Sequence, residues 1–232
     1  MKTILLILIA LVNTVSAKER EITVSGSCKR QAVADRGSIT ITAEFLNEDL
    51  RQATKQVSES YEKIRNAVQK LSLEHAELTT SEYNVIELKE WEKNRNVSKG
   101  FRARMGLKVA TSQVQRLGEV MSLASRYEAK DVGDLMTYLS EDKIKSENLL
   151  CLSEAAENAK TKAEKLATSL NAKIGNVISI LESSGSDFAR PNPVYMSAGA
   201  SMKREARDMS PPVVEAGKQD LSLQIQVIFQ LL

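Results

Sequence analysis

The chain has 232 residues, of which 42% are apolar, 27% charged and 4% aromatic, with 32 Lys and Arg against 30 Asp and Glu. That balance excludes a disordered or collagen-like chain, and a net charge of +2 offers no field for nucleic acid. One histidine and two cysteines exclude a His- or Cys-rich metal centre.

Lys2 and an unbroken apolar run from Ile4 to Val12 open the chain. Val15-Ser16-Ala17 follows with small residues at the two positions a signal peptidase reads, and then charged Lys18-Glu19-Arg20. This order predicts a secretory signal over residues 1–17 with cleavage after Ala17. A run of about nine apolar residues is too short to cross roughly 30 Å of hydrocarbon as a helix. No cysteine stands at the cleavage point to carry a lipid. Residues 18–232 are expected as a single domain, exported to the periplasm, with association to the outer membrane a further option.

Ile22 with Val24 predicts a first strand, and Ile39, Ile41, Ala43 and Phe45 alternate as a second. Ala34-Asp35-Arg36-Gly37 between them reads as a hairpin turn. Leu50, Ala53, Val57, Tyr61, Ile64, Val68 and Leu71 then step by threes and fours, the period of an amphipathic helix, with Asn47 as its expected N-cap. A weaker strand is expected over 81–90. Phe101, Ala103, Met105, Leu107 and Val109 alternate with Arg102, Arg104 and Lys108 in a strong one. Ser112-Gln113-Val114-Gln115 has the spacing of a capping box ahead of a helix whose apolar face is Leu117, Val120, Met121 and Ala124. After a weak strand over 132–139, a third helix is predicted with the stripe Leu152, Ala156, Ala159, Ala163, Leu166 and Leu170. A strand over 176–181 follows, and Leu221, Leu223, Ile225, Val227, Phe229 and Leu231 form the last.

All four prolines fall between Pro191 and Pro212, in a stretch from Ser183 to Val214 that also holds Met196, Met202 and Met209. It has neither period and reads as a flexible loop before the last strand, a solvated insertion rather than a partner-binding flap. The element order implies an α+β fold, an antiparallel sheet of about seven strands with three helices packed on it.

Four segments then carry a resemblance. They are Ile22-Thr23-Val24-Ser25-Gly26-Ser27, the Ala-x-x-Lys-Ala-x-x-Leu-Ala spacing of Ala159 to Ala167, Ile174-Gly175-Asn176-Val177-Ile178-Ser179-Ile180, and Glu215-Ala216-Gly217. In this order they resemble the SIMPL-domain family of bacterial envelope proteins, over nearly all of residues 20–232. The chain departs from the family pattern at Cys28, where a second Gly is usual, and at Ala34-Asp35, where Pro-Asp is usual. The resemblance implies a periplasmic or outer-membrane-associated protein. Some members are surface antigens, some are linked to oxidative-stress defence, and some relatives self-assemble. The family has no agreed catalytic residues, so none is carried over.

The residues offer few sites of their own. His75, in Leu73-Glu74-His75-Ala76-Glu77, is the only imidazole, and a solvated loop histidine is the preferred reading over a triad or metal role. Lys93, Arg95, Lys99, Arg102 and Arg104 cluster around Trp91 and Phe101 and could meet lipid headgroups. Glu90 and Glu92 interleave with them, however, and a polar strand face is the preferred reading. Asn96-Val97-Ser98 has the form of a glycosylation sequon. No phosphate-binding loop, nucleophile elbow or zinc motif is present. No catalytic residue, metal ligand or cofactor is therefore expected.

Cys28 shares strand parity with Ile22 and Val24 and should face the core, whereas Cys151, one residue from the Leu152 stripe, should lie at the helix flank. Those directions predict two free thiols, although an exported chain with an even count invites the disulfide. The expected function is that of a non-catalytic envelope protein, a homo-oligomer or partner-binding protein. An envelope enzyme with an unrecognised site is the alternative. An outer-membrane β-barrel is disfavoured by the three amphipathic helices and by the end Gln230-Leu231-Leu232, which lacks a terminal aromatic.

Overall fold

The computed structural model describes residues 20–92, 94–127, 129–133, 135–182, 192–193 and 211–232. The expected signal segment and most of the Pro-rich stretch, with its three methionines, lie outside the described residues. In chain order the elements are β1 (Glu21–Val33), β2 (Arg36–Asn47), α1 (Leu50–Lys70), β3 (Glu77–Glu92) and β4 (Arg95–Thr111). A short 3-10 turn (Val114–Arg116) leads into α2 (Leu117–Arg126), β5 (Asp131–Val132), β6 (Met136–Tyr138) and α3 (Glu141–Ser169). Last come β7 (Ile174–Glu182), β8 (Asn192–Pro193) and β9 (Lys218–Leu231).

Two antiparallel sheets result, ordered β1-β9-β7 and β3-β4-β2-β6-β8, with β5 also paired to β2. The fold is α+β with three helices, as the periodicities imply. The strand expected over 132–139 is divided into β5 and β6, and β8 adds a two-residue bridge. The hairpin expected at Ala34-Asp35 does not form, because β1 and β2 belong to different sheets. The Ala34 N–H donates to the Gly217 carbonyl (2.9 Å), and the Leu231 N–H donates to the Arg20 carbonyl (2.8 Å), so β1 runs antiparallel to β9. Asp35 leaves the turn to others and accepts from the Ser140 N–H (2.7 Å) and Ser140 Oγ (2.6 Å) at the start of α3.

The chain packs as two compact units. The larger holds β2 to β6, α1, α2, β8, the first part of α3 and the adjoining ends of β1 and β9. In it α1 lays Val57, Tyr61, Ile64 and Val68 on the buried Ile39 and Ile41 of β2 and Leu107 and Val109 of β4. Asp49, rather than Asn47, caps α1 by accepting from the Gln52 N–H (2.9 Å), while Asn47 Oδ1 accepts from the Asp49 N–H (2.9 Å). The capping box at Ser112 is also absent; the 3-10 turn intervenes and the Ser112 hydroxyl donates to the Glu74 carbonyl (3.3 Å). At the described end of the Pro-rich stretch, Val214 is buried in this core.

The smaller unit holds the start of β1, the remainder of α3, β7 and the end of β9. Ile225, Val227 and Phe229 of β9 are buried there, on the parity expected. Helix α3 begins at Glu141, eleven residues before its expected stripe, with the Ser140 hydroxyl accepting from the Lys143 N–H (3.2 Å). Its buried apolar positions are Cys151, Ala155, Ala159, Ala163 and Ala167, one every four residues, whereas Leu166 and Leu170 are exposed. The reason lies in β1. A Cβ on Gly26 would overlap the Ala155 carbonyl oxygen and come within 2.8 Å of the Ala159 Cβ, so only methyl-sized side chains fit between them.

That helix phase overturns the expectation of free thiols. Cys28 does face the core, but Cys151 stands on the buried stripe instead of beside it, with only 1% of its surface exposed. The Cα atoms are 5.4 Å apart and the two residues form a disulfide closing a separation of 123 residues.

Candidate functional site

Strands β3 and β4 form a long hairpin whose last paired residues are Glu92 and Arg95, with Asn94 in the left-handed region at φ +66°. Near its base Glu77 stands opposite Ala110, and continuing that register carries His75 to Ser112. The His75 Nδ1 lies 3.2 Å from the Ser112 Oγ. The Thr111 hydroxyl donates to the Glu74 carbonyl (2.7 Å), which pins the loop and holds His75 itself at φ +48°. A non-glycine residue there costs on the order of 1 kcal/mol, which the loop's hydrogen bonds offset.

His75 and Ser112 line an open cleft of about 490 Å³ in the larger unit, together with Asp35, Arg36, Ser140 and Lys143. Asp35, Arg36 and Lys143 each have a partner, while Asp142, also in the lining, is exposed. Arg36 Nη2 donates to Glu77 Oε1 (2.6 Å), and Asp35 is held by Ser140. Lys143 meets Glu147 at 3.1 Å, and the Arg30 Nε donates to the other oxygen of that carboxylate at 3.0 Å. The Lys143 ammonium, then the Arg30 guanidinium, hold the buried Glu147 carboxyl below its ordinary value.

A serine nucleophile needs a base whose far nitrogen is oriented by a third group. His75 is exposed, and among the described residues no hydrogen bond reaches its Nε2. The structure brings the exposed His75 beside a serine that sequence reasoning did not connect to it. Among the described residues no group of three or more His, Cys, Asp or Glu is arranged to hold a metal ion.

The basic cluster is divided by its register. Lys99 pairs with Glu92 and Glu90, and Arg104 lies 3.6 Å from both Glu44 and Glu82. Arg102 stands between Leu46 and Ile86 on the neighbouring strands, while Phe101 packs against the core of the larger unit. Trp91 is exposed near the hairpin end, and Lys93 lies outside the described residues. Of these cations, Lys99 and Arg104 therefore meet carboxylates, whereas Arg102 lies between apolar neighbours.

In the smaller unit a second, smaller groove of about 340 Å³ runs between α3 and strands β7 and β9, lined by Ala156, Lys160, Val177, Ile180 and Phe229. Both faces of β7 from Asn176 onward are exposed. No helix among the described residues is long and apolar enough to cross a membrane.

The model of the SIMPL family, described as proteins of unknown function (DUF541), matches residues 22–229. The chain belongs to the SIMPL family. Its match spans both sheets and all three helices, so the family pattern covers both units. The chain is also similar to the 26 kDa periplasmic immunogenic protein of Brucella melitensis biotype 1, with 22% identity over 224 residues, covering 94% of this chain and 88% of that protein.

Proposed function

We propose that this SIMPL protein is exported to the periplasm and acts there without catalysis, through surfaces that bind further copies of itself or envelope partners. The observation that carries this reading is the contrast between cleft and edge. In the cleft Arg36 is held by Glu77, Asp35 by Ser140 and Lys143 by Glu147, whereas β7 offers an apolar strand edge that among the described residues has no partner beyond β9. The buried Cys28–Cys151 disulfide supports export, since such bonds persist in oxidising compartments. So does the similarity to a protein named as periplasmic. A contribution to oxidative-stress defence is then indirect, through the assembly rather than through a redox site. Membrane-surface attachment belongs to the same reading as a property of the assembly.

Short-range amine cross-linking in intact cells tests this proposal. A ladder of multiples, or adducts with envelope proteins, is the expected result, and a chain recovered only as an uncross-linked monomer would contradict it. The enzyme alternative has one observation in its favour, the His75–Ser112 pair at 3.2 Å. If a hydrolytic activity were found, Ser112→Ala and His75→Ala abolishing it with an unchanged melting temperature would establish that alternative instead.

A further inference from the structure

Edge strands expose a row of unpaired N–H and C=O groups, and folded proteins cover or charge them. Two long edges here are managed in that way. Along β1, the Ser27 N–H donates to Asn158 Oδ1 (3.2 Å) and the Lys162 ammonium donates to the Ser25 carbonyl (2.9 Å), so side chains of α3 occupy its outer side. Along β3, Glu77, Glu82, Glu87, Glu90 and Glu92 place carboxylates on the edge, several of them ion-paired. β7 has neither a covering side chain nor a charged edge; its register against β9 is interrupted at Ile174/Val177 and Val177/Ser179. Among the described residues it pairs only with β9, it carries no charge from Ile174 to Leu181, and Val177, Ile178, Ile180 and Leu181 are 44–62% exposed.

We infer that β7 is the strand through which two copies of this chain pair, antiparallel, joining their three-stranded sheets into one. This rests on the self-association proposed above and assigns it a surface. The occupant is a second copy because the strand is self-complementary in charge. Lys173 flanks one end and Glu182 the other, with only uncharged residues between. Antiparallel pairing about the middle of β7 brings the Lys173 end of each copy to the Glu182 end of the other, which a parallel arrangement cannot do. The position of α3 agrees. Its alanine stripe lies against β1, leaving the groove floored by Val177 and Ile180 open on the side where a second sheet would add. Main-chain pairing gives the affinity and the exposed side chains of Val177, Ile178, Ile180 and Leu181 the fit. An edge of nine residues is small beside the roughly 800 Å² per partner of a standard interface, so the pairing is concentration-dependent.

The test uses the mature, disulfide-intact chain and native mass spectrometry over a dilution series, with Ile180→Lys and Leu181→Lys as β7 variants. Both side chains are exposed, so a cooperative thermal transition is expected to survive, and the two variants guard against a single misfolded one. Tyr83→Lys, exposed on β3, is the control. Each β7 variant should weaken the pairing by about tenfold or more while the control leaves it unchanged. In the wild type, amide exchange along β7 should slow as concentration rises, and in the β7 variants it should not. An assembly that persists equally in both β7 variants would overturn the assignment to β7 and leave self-association standing. Dissociation by Tyr83→Lys alone would overturn it in the same way. A wild type that is monomeric throughout, with fast-exchanging β7 amides, would overturn both.

Discussion

Helices α1 and α3 solve the same packing task with opposite means. α1 presents Val57, Tyr61, Ile64 and Val68 to a sheet that answers with Ile39, Ile41, Leu107 and Val109, so both layers supply bulk. α3 presents a cysteine and a run of alanines to a strand carrying Gly26 and Cys28. In the first case the contact is between side chains, which can shift rotamers when one is trimmed or enlarged. In the second it is nearly backbone against backbone, and nothing flexible stands between. Close approach is also what brings the two cysteines within bridging distance, so the disulfide and the alanine stripe have one cause.

Breaking the comparison at the disulfide should have the largest effect. The link closes a separation of 123 residues, worth about 5 kcal/mol in the chain-entropy model. Cys28→Ser with Cys151→Ser should therefore lower unfolding stability in urea by several kcal/mol, with the midpoint falling accordingly. A matching loss in wild type on adding reductant would show that the bond, not the serines, is responsible.

The packing contrast itself is sharpened by two opposite substitutions. Ile64→Ala in α1 should cost about 3 kcal/mol by leaving a cavity, and Ile64→Val far less, because the cost follows the volume removed. Gly26→Ala adds a single methyl against the Ala155 carbonyl and should still cost about 2–3 kcal/mol. If Gly26→Ala were neutral, α3 would have to stand further from β1 than described.

A smaller effect separates polar from apolar support. Glu147 has its proton affinity lowered by Lys143 and Arg30, so the folded state gains stability where the carboxylate is charged in both states. That gain is full above the unfolded carboxyl's pKa and is lost as pH falls through the lower folded value. Glu147→Gln should thus be less stable than wild type at neutral pH, by on the order of 1 kcal/mol, and the gap should close in acid. A gap independent of pH would mean that the amide fails by shape instead of charge. Smallest of all, His75→Ala should change stability by no more than about 0.5 kcal/mol, as expected for an exposed side chain.

The elements legible in the sequence are those in which one residue size repeats with one period. α1, β4 and β9 show their buried faces almost residue for residue, since bulky apolar side chains recur there at helical or strand spacing. α3 misled because apolarity was weighed above size. Leu152, Leu166 and Leu170 suggest a core face, yet the close approach at Gly26 admits only small side chains, and Leu166 and Leu170 turn outward while Leu152 is half-buried. From that phase error of one residue the misplacement of Cys151 follows. The meeting of His75 and Ser112 was within reach of the sequence. A two-residue turn between Glu92 and Arg95 centres a register that sets 75 opposite 112, and the two irregularities in the hairpin, at 80/82 and 87/89, cancel. The uncovered edge of β7 was not, because which strand ends a sheet is decided by pairing partners far away in the chain.

The account's central claim is that this SIMPL protein works by association, and light scattering of the mature, disulfide-intact protein over a micromolar dilution series tests it most directly. A weight-average mass above that of one chain, falling toward one chain on dilution, is the predicted result. The mass of a single chain at every concentration would contradict it.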